Sequence, residues 1–175
     1  MTVQTKTKVK RYAVYGVIIL LAHILQNILT IFPEIVSVRP VLLISVAVCI
    51  SMFEGEVVGA VAGLVSGALW DTVTVTADGY NAFYLMVACA VCGVLLRIFM
   101  RNNIITYIMM NTGFTTLYFS SYVLFFITAR GIDGGAEMLL RYYLPMGIYS
   151  LVLTPFVYVL IRAVSRKFSY NYTEY

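Results

Sequence analysis

His23, Gln26 and Asn27 fall at i, i+3 and i+4, so a helix carries them on one face. Within an apolar segment such a face can relay protons through the imidazole, contact a ligand, or hydrogen-bond to a neighbouring helix. Thr112, Thr116 and Ser120 share a face of another segment and are the expected hydrogen-bond partners in the last case. A second polar group gathers around Asp71, with Asp78, Tyr80 and Asn81 shortly after it and Arg39 at the same expected depth. A carboxylate near apolar surroundings is costly unless paired or hydrated, so either an Arg39 to Asp71 ion pair is expected or Asp71 simply caps a short loop at the interface.

The remaining reactive groups do not assemble a catalytic set. Cys89 and Cys92 form a C-x-x-C, but the chain has one His and no second C-x-x-C, so small-residue packing is the better reading and no metal or cofactor is expected. Asp71 and Asp78 do not match the acids of an intramembrane aspartyl protease, since Leu69, Trp70 and Asp71 do not reproduce a G-x-G-D segment. Gly63 to Gly67 reads G-L-V-S-G and is not a nucleophile elbow, and neither H-E-x-x-H nor a P-loop occurs. The chain is not expected to be an enzyme.

The elements that position these residues follow from composition. The chain has 175 residues, 61% of them hydrophobic and 11% charged, and a mean hydropathy of +0.90. A soluble domain has about 25% charged residues, so too little polar surface is present to cover a globule in water. Charge-free apolar stretches, none with the in-out alternation of a barrel strand, predict an all-α polytopic membrane bundle of six transmembrane helices. The spans are expected at residues 12–32, 40–53, 57–70, 80–96, 104–128 and 142–161. The second and third are short, separated by Glu54, Gly55 and Glu56, and read as a tight hairpin of two short spans, with a re-entrant pair as the alternative.

Residues 1–11 form a basic N-terminus, residues 12–161 a single membrane domain, and residues 162–175 a basic, Tyr-rich tail. Lys6, Lys8, Lys10, Arg11, Arg97, Arg101, Arg162, Arg166 and Lys167 fall on one side of this topology, against Arg39, Arg130 and Arg141 on the other. Both termini are therefore expected in the cytoplasm. The net charge of +4 reflects topology and contact with anionic lipid, with no support for nucleic-acid binding.

Gly55, Gly59, Gly63 and Gly67 recur every fourth residue and lead to Asp71. On a helix they make a face without side chains, against which another backbone can pack closely. That neighbour is either a helix of the same chain or a partner helix. Pro145, Gly147 and Pro155 are expected to bend or loosen the last span.

The order of these features resembles one family. Arg39-Pro40, the glycines ending at Asp71, Gly79-x-Asn81-Ala82, and Leu153-Thr154-Pro155 followed by Arg162, Arg166 and Lys167 are similar to the rod shape-determining protein MreD family. The resemblance implies a non-catalytic scaffold of the bacterial cytoplasmic membrane. It would bind MreC and help couple MreB filaments to RodA and a class B penicillin-binding protein. It also implies a fold similar to the S components of energy-coupling-factor vitamin transporters. As the alternative function, Arg39, Asp71, Asp78, Tyr80 and Asn81 would then line an outward vitamin pocket.

Overall fold

The computed structural model describes residues 3–27, 40–74, 79–99, 102–127 and 143–170. Six α-helices make up most of the described residues: α1 Val3–Asn27, α2 Leu42–Glu54, α3 Glu56–Asp71, α4 Tyr80–Ile98, α5 Ile104–Tyr122 and α6 Leu144–Tyr170. Three segments, Lys8–Asn27, Tyr80–Ile98 and Leu144–Phe168, are long and apolar enough to cross a membrane, and Leu42–Glu54 is a shorter apolar helix. Both ends of the bundle are longer than the apolar pattern suggests. Helix α1 begins at Val3 and α6 runs to Tyr170, so the flanking basic residues ride on helices.

Helix α2 is the hub. It touches α1, α3, α4, α5 and α6, and every residue from Leu42 to Met52 is buried. A helix apolar on all sides has no face for solvent and is stable only when enclosed. Its first turn lacks a side-chain cap of its own, because Val41 stands at that position. Other helices supply the acceptors. Gln26 Oε1 accepts from the N–H groups of Leu42 at 2.9 Å and Leu43 at 3.1 Å, and Ser150 Oγ accepts from Val41 N–H at 2.7 Å.

A sharp turn at Gly55, with φ +86°, reverses the chain from α2 into α3. Only glycine adopts that backbone conformation readily. Gly55 therefore makes the turn and does not lie on the helical glycine face. The rest of that face does form. A Cβ on Gly59 would meet Ser51 of α2, one on Gly63 the Leu85 carbonyl of α4, and one on Gly67 the backbone of Asn81 and Ala82. Gly93 of α4 makes the reciprocal approach, within 2.5 Å of Glu56 Cα for an added Cβ. Helices α3 and α4 thus form the most extensive pairing in the bundle, backbone against backbone over about 18 Å.

Helix α5 continues as a π-helical segment, Val123–Ile127. Just before it, Ser121 Oγ donates to the carbonyls of Leu117 at 2.7 Å and Tyr118 at 3.0 Å. Such side-chain bonding back to the helix loosens the regular ladder. In α6, Pro145 sits in the first turn, where its missing N–H is harmless, and Pro155 lies inside the helix. Beside it, Thr154 Oγ1 donates to the Ser150 carbonyl at 3.0 Å.

Candidate functional site

Among the described residues, polar side chains gather at three levels. At the level of the α3–α4 connection, Asp71 Oδ2 accepts from Ala82 N–H at 3.0 Å and Oδ1 from Asn81 N–H at 3.3 Å. These are N–H groups of the first turn of α4, whose own capping residue is Gly79, in the left-handed conformation and without a side chain. Asp71 therefore does for α4 what an N-cap side chain does, and its charge faces the positive end of the helix. Arg39 and Asp78 lie outside the described residues, and so does the expected Arg39 to Asp71 ion pair. The carboxylate has capping partners in α4.

Asn81 is fully buried beneath this cap. Its Oδ1 accepts from the Tyr118 hydroxyl at 2.6 Å and its Nδ2 donates to Thr74 Oγ1 at 3.2 Å. Tyr118 stacks on Trp70 with centroids 5.1 Å apart, and the Tyr80 hydroxyl lies 2.6 Å from Ser121 Oγ. Asp71, Tyr80 and Asn81 are thus brought together as anchors for an aromatic wall joining α3, α4 and α5. Removing the cap leaves two N–H groups without acceptors. Asp71→Ala is expected to cost about 2 kcal/mol, read as a lower thermal midpoint, and Asp71→Asn should recover part of it.

Nothing in the sequence singles out the middle level. Tyr107, wholly buried, donates to the Ser45 carbonyl at 2.7 Å. Asn111 Nδ2 donates to Ser45 Oγ at 3.0 Å and Thr154 Oγ1 at 2.9 Å, tying α5 to α2 and α6. The one signal is a scatter of small polar residues in apolar runs, which looks the same as ordinary packing.

At the far end, Arg11 pairs with Glu54, whose Oε1 also accepts from the Tyr15 hydroxyl at 2.7 Å. Arg11 Nη2 reaches Ser165 Oγ at 3.1 Å as well, so one guanidinium joins α1, α2 and α6. The pair is largely withdrawn from solvent, with side chains 15% and 7% exposed. A second pair, Arg97 to Glu56 at 2.7 Å, is exposed. Glu56 is held below the usual carboxylate range, first by its own backbone N–H and then by Arg97.

The polar face expected on α1 divides in two. Gln26 turns inward to cap α2. His23 and Asn27 bond to each other, Asn27 Nδ2 lying 3.4 Å from His23 Nδ1 and 2.8 Å from the His23 carbonyl. Thr112, one of the expected partners, donates to its own helix at Ile108. The reason is that the first-turn N–H groups of α2 present a stronger demand for an acceptor than a hydroxyl already satisfied within α5. Cys49, Cys89 and Cys92 are buried free thiols, and no group of three metal-ligating side chains occurs among the described residues.

The geometry is therefore one of fastening. A family model described as rod shape-determining protein MreD matches residues 8–164, nearly the whole chain. The chain belongs to the MreD family. It is a bacterial membrane protein with a role in determining rod shape. No curated protein and no solved structure matches the chain, so the expected likeness to transporter S components gains no support from either comparison. In this member of the MreD family each of the three levels joins helix to helix.

Proposed function

We propose that this member of the MreD family is a non-catalytic scaffold with both termini in the cytoplasm and six membrane crossings. It binds MreC and helps couple MreB to RodA and a class B penicillin-binding protein. The observation that carries this reading is the family match over residues 8–164, joined to a bundle whose polar side chains bridge helix to helix. Arg11, Gln26, Asp71, Asn81 and Asn111 each spend hydrogen bonds on another segment of the same chain.

The glycine face supports the scaffold in an indirect way. Gly59, Gly63 and Gly67 are covered by α2 and α4, so partner helices meet the outward faces of the bundle and the glycines keep those faces in register. Gentle solubilisation through a C-terminal tag should recover MreC together with RodA or a penicillin-binding protein, identified by mass spectrometry. Recovery instead of a coupling-factor membrane subunit with its ATPases would overturn the scaffold reading. Asp78→Asn should leave both recovery and rod shape unchanged.

A further inference from the structure

A groove of about 340 Å³ lies between α1 and α3, away from all three polar levels except at one end. Its walls include Tyr12, Gly16 and Ile19 from α1 and Val57, Val61 and Val65 from α3. The three valines are 72%, 57% and 44% exposed, so the groove opens outward along its length. From Val57 to Val65 it runs about 12 Å, most of the ~15 Å depth of one leaflet.

Its polar features lie at a single end. Lys8 is exposed and stands one helical turn before Tyr12, on the face of α1 that lines the groove. The two carboxylates at that end already have basic partners, Glu54 with Arg11 and Glu56 with Arg97. An occupant that matches this shape is apolar for one leaflet and negative at one tip. A partner helix would be about 10 Å wide and would run the full membrane thickness, which a one-leaflet slot does not match.

We propose that the groove holds an acyl chain of an anionic phospholipid from the leaflet on the Lys8 side, with the lipid phosphate against the Lys8 ammonium and the Tyr12 hydroxyl. The binding is a built site between helices, distinct from the general attraction of basic ends to a charged membrane. Gly16 provides a clean test, because a Cβ there meets no atom within 4 Å. A larger side chain at this position fills the groove without moving the backbone.

The experiment is native mass spectrometry of the full chain from micelles containing equal amounts of dioleoyl phosphatidylglycerol and dioleoyl phosphatidylcholine. The unaltered protein should retain phosphatidylglycerol over phosphatidylcholine by about fivefold, the factor one lysine contributes near an anionic headgroup. Lys8→Gln should bring that ratio close to one, and Gly16→Phe should remove most of the retained lipid while leaving the thermal midpoint unchanged. Equal lipid retention by Gly16→Phe, or no preference in the unaltered protein, would overturn the proposal. So would a Gly16→Cys variant that cross-links in native membranes to a protein helix.

Discussion

Gly63→Ala is expected to destabilise the bundle by about 3 kcal/mol or more, and Gly63→Leu to abolish folded protein altogether. The added methyl would meet the Leu85 carbonyl oxygen and lie 2.7 Å from its carbon, against about 3.5–4.0 Å for a comfortable carbon contact. Both atoms belong to the backbone of α4, so no side chain can swing aside. The two helices must separate, and the neighbouring approaches at Gly67 and Gly93 are lost with them. Gly16→Ala is the control, because nothing stands within 4 Å of that position. Trp70, the one tryptophan of the chain, stacks on Tyr118 and reports unfolding by fluorescence. In cells that depend on this chain for shape, Gly63→Leu should give round or swollen cells while Gly16→Ala gives rods. Normal yield and normal rods from Gly63→Leu would refute the role of the glycine face.

Glu54→Ala should cost about 3–5 kcal/mol, the penalty for leaving a withdrawn charge without its partner. The variant strips the carboxylate from Arg11, which is 15% exposed, and also removes the acceptor of the Tyr15 hydroxyl. Replacing both members, Arg11→Met with Glu54→Leu, should recover much of the loss, since apolar groups of similar size need no compensation. Glu56→Ala is the comparison. Its partner Arg97 is 74% exposed, and surface pairs of that kind contribute little. Thermal midpoints of the four proteins in one detergent decide the matter, and equal midpoints for Glu54→Ala and Glu56→Ala would show that Arg11 is adequately solvated without its partner.

The two carboxylates differ in a way that sequence does not reveal. Glu54 and Glu56 flank the same glycine, with the same chemistry and the same apparent place in a hairpin, yet one is withdrawn from solvent against the Arg11 guanidinium that joins three helices and the other makes an exposed pair with Arg97. Legibility follows the range of the interaction. Charge-free stretches locate the helices because the removal of apolar side chains from water acts on each segment separately. The glycine period shows a close-packing face because α3 alone defines it, but it does not say that α4 covers that face. Gln26 is visible as a polar residue in an apolar run. Its use as the cap of α2 depends on a helix that begins sixteen positions later, and no local pattern encodes that. Asp71 stands out for its position, and its partners are the N–H groups opposite it, which need an acceptor because Gly79 lacks a capping side chain.

Enclosure of α2 sets an order of assembly. The ribosome delivers this helix before α6, yet Ser150 of α6, which accepts from the Val41 amide, lies 109 positions further along the chain. Thr154, which closes the middle level through Asn111, comes later still. Until α6 has emerged, the buried heart of the protein is an incomplete shell, with Val41 N–H lacking Ser150 and Asn111 Nδ2 lacking the second of its two acceptors, Thr154. The core helix is thus laid down before its cover, and α6 is the segment that shuts the interior.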